Sequence, residues 1–199
     1  MGEPPGEPPQ QAPDPVAEAF RRLPRAGFLP SDQRASAAVD AALPIAAGQS
    51  NSQPRTVAAM LRLLAPVPGD RVLDVGSGSG WTTALLAVLV GPAGSVLGVE
   101  RHPELVAFGR ANLASARLPW ARIEPATPGV LGDPSGAPYR RILVSASARR
   151  LPAALVAQLD DGGVLICPVG STMTRVRRDG DRVRVSEHGE YRFVPLVED

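Results

Sequence analysis

The chain has 199 residues, 44% of them hydrophobic and 21% charged, an ordinary soluble composition with length enough for one well-packed domain plus a tail. Its formal net charge is +1, with all 21 basic residues arginine, which excludes the broad positive footprint of a general nucleic-acid binder. One cysteine (Cys167) and two histidines (His102 and His188) exclude an intrachain disulfide framework, a thiolate zinc cluster and a histidine-rich metal site, so no metal is expected.

In chain order, "MGEPPGEPPQQAPDP" (1–15) reads as a disordered proline-rich tail without the basic start and apolar core of a signal peptide, leaving 16–199 as a single domain. "VAEAFRRLPRAGFLP" predicts a short helix stopped by Pro24, then an irregular segment. Residues 42–61, "ALPIAAGQSNSQPRTVAAML", are harder to place. Gly48-Gln49-Ser50-Asn51-Ser52-Gln53-Pro54 offers nothing aliphatic to bury except a proline ring, yet it leads into a helix with the apolar stripe Val57, Met60, Leu61, Leu64. Taken alone, such a stretch is a solvated turn.

"DRVLDVGSGSG" is a short β-branched strand ending in glycines, followed by the helical "WTTALLAVLV". "GSVLGVE" is a second strand and "HPELVAFGRANLASA" a second helix; "YRRILVSAS" is a buried strand, "PAALVAQLD" a helix, and "GGVLICPVG" a strand that holds Cys167 as a buried structural thiol. "RVRRDGDRVRVS" predicts a hairpin turning at Asp179-Gly180. The longest apolar run is broken by Gly91-Pro92-Ala93-Gly94, so no membrane span is expected, and the protein is placed in the cytoplasm. Strand and helix alternate from 71 to 169. That predicts an α/β fold, a doubly wound, mainly parallel sheet with helices on both faces and a C-terminal β-hairpin. Its ligand would sit at the carboxyl ends of the strands, near the first crossover.

The crossover is Asp74-Val75-Gly76-Ser77-Gly78-Ser79-Gly80-Trp81. Its glycines let backbone approach a ligand with no Cβ in the way, and the helix behind supplies unpaired N–H groups. A dinucleotide fingerprint, G-x-G-x-x-G, would need its third glycine at residue 81, which is tryptophan; Gly80 comes one residue early. The acidic-x-G-x-G-x-G form resembles the S-adenosylmethionine loop of class I methyltransferases. Glu100, ending the next strand twenty residues after Gly80, is then positioned to accept both ribose hydroxyls. Asp74, Gly76, Ser77, Gly78, Gly80 and Glu100 are the candidate cofactor-binding residues.

"LPRAGFLP", "ALPIAAGQSNSQPRTVAAML", "VLDVGSGSGWTTALLA", "APYRRILVSAS", "QLDDGGVLICPVG" and "YRFVPLVED" occur in the order seen in protein-L-isoaspartate O-methyltransferases, and the resemblance runs from about residue 16 to 197. The family's "LPIGxGQTISQP" is similar to residues 43–54, with Ser52 on the serine that the family treats as its active-site residue. The resemblance implies a monomeric enzyme that methylates the α-carboxyl of L-isoaspartyl residues in damaged proteins, starting repair through a succinimide, with neither nucleic acid nor membrane as partner. Ser52 would orient the carboxylate and Arg55 is a second candidate for it; outside the resemblance, Ser52 reads as a helix cap.

The chain also departs from the family pattern. Thr127-Pro128-Gly129 replaces a Gly-Asp-Gly whose aspartate reads the adenine amino group, and Arg140 replaces the aspartate of "APYDRI". Ser50-Asn51 replaces Thr-Ile, and the loop after "PVG" is shortened. These changes are expected to touch cofactor grip and substrate wall together. They leave open a relative that binds S-adenosylmethionine without turnover, or a methyltransferase for one dedicated peptide or small acid.

Overall fold

In a computed structural model of the protein, which describes residues 14–197, the alternating segments form one large sheet. Helix α1 (Pro15–Arg22) precedes a two-stranded ribbon, β1 (Leu43–Pro44) with β2 (Ser50–Asn51), and helix α2 (Pro54–Leu64). Then follow β3 (Arg71–Val75), α3 (Trp81–Val90), β4 (Ser95–Glu100), α4 (Pro103–Ala116), β5 (Ala121–Pro125), β6 (Tyr139–Val144), α5 (Ala153–Val156), β7 (Leu159–Val169), β8 (Thr172–Asp179) and β9 (Arg182–Glu190).

The seven-stranded sheet has the order β5-β4-β3-β6-β7-β8-β9, parallel from β5 to β7 and antiparallel through the β8–β9 hairpin. From β3 the chain winds outward to β5, then returns to β6 on the other side of β3. The crevice between the carboxyl ends of β3 and β6 is therefore the switch point, where open α/β sheets bind ligands.

Alternation along the central strands divides the core. Val72 and Val96 face α1–α4, burying the α2 stripe of Val57, Met60, Leu61 and Leu64 against Trp81, Leu85 and Val106. Leu73, Val75, Leu97 and Val99 face the other way, onto Leu155, Leu159 and the loop carrying Leu131. Among the described residues, helices lie on both faces, but unequally, since the second face has only the single turn of α5.

Three details differ from the sequence reading. Asp14 and Pro15 belong to the first helix rather than to the tail: Asp14 Oδ1 accepts from Val16 N at 2.9 Å, a side-chain N-cap with proline in the first turn. The rest of the predicted tail, residues 1–13, lies outside the described residues. The helix expected over "PAALVAQLD" stops after Val156, because Leu159 is fully buried in β7 while Gln158 turns its amide to the Leu131 and Ala154 carbonyls at 2.8 and 3.0 Å. Finally, β5 escaped notice. It is an edge strand in which Ile123 is the buried member of five residues, so it lacks a strongly apolar signature. Among the described residues no helix is long and apolar enough to cross a membrane.

Candidate active site

The glycine loop is built around two buried carboxylates. Asp74, the penultimate residue of β3, is completely buried and accepts from Thr83 Oγ1 of α3 at 2.7 Å. Its register partner on β4 is Gly98, where a Cβ would lie 2.9 Å from Ser77 Cβ and 3.0 Å from Thr83 Oγ1. The missing side chain is what lets the loop and α3 close over Asp74. Burial pushes the Asp74 carboxyl up to about 7; the Thr83 hydrogen bond opposes this and the charge of Glu100 adds to it. Among the described residues, Asp74 Oδ1 and the buried Ser77 hydroxyl have no hydrogen-bond partner.

Gly76, Gly78 and Gly80 all have positive φ (79°, 53° and 81°), conformations that L side chains rarely adopt. The Gly76 and Ser77 N–H groups donate to the Val99 carbonyl at 2.9 and 3.2 Å, pinning the loop across β4. Glu100, 6% exposed, accepts from Gly78 N through Oε2 at 3.0 Å and from His102 N through Oε1 at 2.9 Å. Each of these oxygens keeps a second lone pair for an outside donor. An acceptor pair beneath a loop of N–H donors fits a ligand that brings hydroxyls and positive charge. It suits a pyrophosphate poorly, because the Glu100 carboxylate would repel it.

The polar stretch 48–54 stands beside this loop. Asn51 Nδ2 donates to the Ser79 hydroxyl in the turn at 2.9 Å, and a Cβ on Gly78 would lie 3.6 Å from Cδ1 of Ile45, just before the stretch. Ser52 lines a cleft of about 930 Å³, together with Arg55, Ser145 and the C-terminal residues Tyr191, Arg192 and Phe193. Ser145 follows β6, and a Cβ on Gly76 would lie 3.9 Å from its Cβ, so one wall of the cleft adjoins the glycine loop at the switch point. Ser52 is not the cap of α2. The N-cap is Gln53, and the carboxylate of Asp40 supplies the capping acceptor, taking Arg55 N at 3.0 Å. The Arg55 guanidinium, four-fifths exposed, is paired to the same Asp40 at 2.8 Å.

Sequence reasoning missed two residues here. Ser145 sits at a strand's carboxyl end, a position that could have drawn attention. Arg25 joins the site through contacts with Asn51, a residue noted in the sequence as a departure, and such contacts between distant segments carry no local signal.

The departures fall in different places. Thr127-Pro128-Gly129 forms an exposed turn after β5, closed by Val130 N to the Thr127 carbonyl at 3.0 Å, with Gly129 at φ 73°. It starts next to Glu100, whose carbonyl accepts from Ala126 N at 2.8 Å. The loop after "PVG" is a tight turn, Val169 pairing with Thr172 across Gly170 and Ser171. Arg140 does not touch the site, contrary to expectation. It lies near the start of β6, at the opposite end of the sheet, and donates to the Asp161 carbonyl.

The sequence model of the protein-L-isoaspartate(D-aspartate) O-methyltransferase family matches residues 10–199. A protein-L-isoaspartate O-methyltransferase of Methanopyrus kandleri is 44% identical over 188 residues, covering 92% of this chain and 83% of that protein. The Pyrococcus horikoshii protein of the same name is 40% identical over 193 residues, covering 92% and 84%. A Plasmodium falciparum crystal structure named for the same activity, in complex with S-adenosyl-L-homocysteine, superposes with a TM-score of 0.83 at 24% identity, over 94% of this chain and 92% of that one; it supports the fold. With both faces of the sheet, the glycine turn and the cleft in place, the chain belongs to the protein-L-isoaspartate(D-aspartate) O-methyltransferase family.

Proposed function

We propose that this protein transfers the methyl group of S-adenosylmethionine to the α-carboxyl of L-isoaspartyl residues in altered proteins and peptides. The observation that carries this reading is the cleft itself: Ser52 lines it, and so does Ser145, which adjoins Gly76 of the glycine loop at the switch point. When bound, S-adenosylmethionine supplies an electrophilic methyl on a sulfonium. Glu100 would take the ribose hydroxyls on its remaining lone pairs. The glycine turn, which brings backbone rather than side chains to the ligand and rests over the buried Asp74, would leave room for the rest of the donor.

The acceptor needs little acid–base help, because an aspartyl-type carboxyl with a pKa of about 4 is already ionised at neutral pH. What remains is to hold one oxygen in line with the methyl and to keep water out, a gain from proximity and orientation. In this reading the Ser52 hydroxyl donates to that carboxylate, and the walls formed by residues 50–56 and 189–194 take the peptide on either side.

The test is a methyl-transfer assay on an isoaspartyl peptide beside its normal aspartyl twin. Turnover on the first alone is expected; equal turnover on both, or none on either, overturns the substrate assignment. Ser52→Ala should lower kcat/KM at nearly unchanged donor affinity. Loss of thermal stability with full activity would return Ser52 to a structural role.

One observation favours a second reading, a protein that binds the donor without turnover. Pro128, in the exposed turn, offers no side-chain acceptor for an adenine amino group. Calorimetric binding of S-adenosylmethionine, with no methyl transfer in the assay above, is its signature.

A further inference from the structure

Arg25 and Asn51 are each 5% exposed, and they meet beneath the site. Arg25 Nε donates to Asn51 Oδ1 at 2.7 Å, and the terminal nitrogens donate to the carbonyls of Val39, Ala41, Asn51 and Ser52 at 2.8–3.1 Å. The other end of the Asn51 amide donates to the Ser79 hydroxyl at 2.9 Å. Ser79 lies inside the glycine turn, between Gly78 and Gly80, and its carbonyl is held from the opposite side by Asn112 Nδ2 at 2.8 Å. The Arg25 guanidinium also lies 5.7 Å from the ring centroid of Trp81, the first residue of α3.

A polar path therefore runs from the Ser52 backbone through Arg25 and Asn51 into the glycine loop. Asn51 is not needed as a polar residue for its strand: β2 pairs with β1 through the backbone, and the side chain is buried. What the amide adds is the link. It accepts from a buried cation at one end and donates to the loop at the other, and both contacts lie out of water, where such hydrogen bonds are strongest and costly to leave unmade.

We propose that Asn51 is a positioning residue that couples the two half-sites, so that a donor seated in the glycine loop sets the Ser52 wall for the acceptor carboxylate. The inference rests on the methyl-transfer reading above. Its consequence is thermodynamic: if loop and wall move as one unit, each ligand tightens the other by the same factor.

The experiment is calorimetric titration of the full chain with a short peptide containing one L-isoaspartyl residue, with and without saturating S-adenosylhomocysteine. The unaltered chain should bind the peptide roughly 5- to 150-fold tighter with the nucleoside present. Asn51→Leu keeps the volume and removes both contacts, while Ser79→Ala removes only the link to the loop. In both variants the ratio should fall below about twofold, the range expected when no coupling remains. Asn51→Asp should keep the ratio, since a carboxylate accepts from Arg25 and the Ser79 hydroxyl can turn to donate.

If Asn51→Leu does not fold, Ser79→Ala decides. A ratio retained in Ser79→Ala, lost in Asn51→Asp, or absent from an unaltered chain that binds both ligands overturns the coupling role and leaves the proposed function standing. An unaltered chain that turns over neither peptide and binds neither ligand overturns the function, and the coupling with it.

Discussion

Asp74 combines complete burial with a single hydrogen bond, from Thr83, so its ionised form is poorly supported before a ligand arrives. Its carboxyl stands at about 7 in the folded chain, against an ordinary value of 3.8. Below pH 4 the group is protonated whether the chain is folded or not, and no stability is lost. Between pH 4 and 7 the unfolded chain releases that proton while the folded chain keeps it, so stability falls as pH rises and levels off above 7. The fall attributable to this residue is up to about 4 kcal/mol. Asp74→Asn should abolish it, so that the difference in urea-unfolding free energy between the two proteins narrows or inverts from pH 4 to pH 7.5. A difference that stays constant across that range would mean that Asp74 ionises at its ordinary value.

At the scale of elements, the strand–loop–helix crossover was legible because its signals are local: β-branched residues, then glycines, then an apolar run, each reporting on the backbone at its own position. The reason those glycines are required was not legible, because it lies across the fold. Gly80, at φ 81°, faces Gly109 of α4, and a Cβ there would come 3.1 Å from the Gly109 carbonyl and 3.1 Å from Ile123 Cδ1. Loop and helix approach glycine to glycine, a contact spanning 29 residues that no window of sequence displays. Likewise, the polar stretch 48–54 read as a solvated turn on composition, and its burial of Asn51 depends on Arg25, 26 residues away. Edge strand β5 was missed for the opposite reason, since Arg122 and Glu124 dilute the apolar signal that a central strand carries. Gly80→Ala should cost about 2–4 kcal/mol, from left-handed strain and overpacking against α4, and weaken donor binding as well. Chemical denaturation and calorimetry of the same preparation would check both. A loss under about 0.5 kcal/mol, the scatter of ordinary surface changes, would show that the loop relaxes away from α4.

At the scale of the molecule, the C-terminal segment does what the distribution of helices leaves undone. Tyr191 and Phe193 pack against the core on the α1–α4 side, whereas Leu196 packs against the core on the α5 side, so residues 191–196 pass from one face of the sheet to the other. The segment is tied down on the way: Tyr191 N donates to the Ser171 carbonyl at 2.7 Å, Ser147 N to the Val194 carbonyl and Leu196 N to the Ser147 carbonyl, both at 2.8 Å. Ser147 belongs to the stretch that follows β6, next to the switch point, and residues 191–194 of the strap line the same cleft as Ser52. The glycine loop, by contrast, hangs on β4, α3 and α4 and makes none of these contacts. A chain ending at Glu190 should therefore separate the two binding events. Donor affinity should stay within about threefold of the full chain, while peptide affinity drops by at least tenfold, or about 1.4 kcal/mol. Stability should fall too, by about 2–4 kcal/mol, because the half-buried rings of Tyr191 and Phe193 no longer pack against the core. Calorimetry below the lowered melting temperature reads all three quantities from one sample. Equal weakening of both ligands would mean that the strap supports the sheet as a whole; undiminished peptide binding would place the acceptor outside the cleft that Ser52 and Arg192 share.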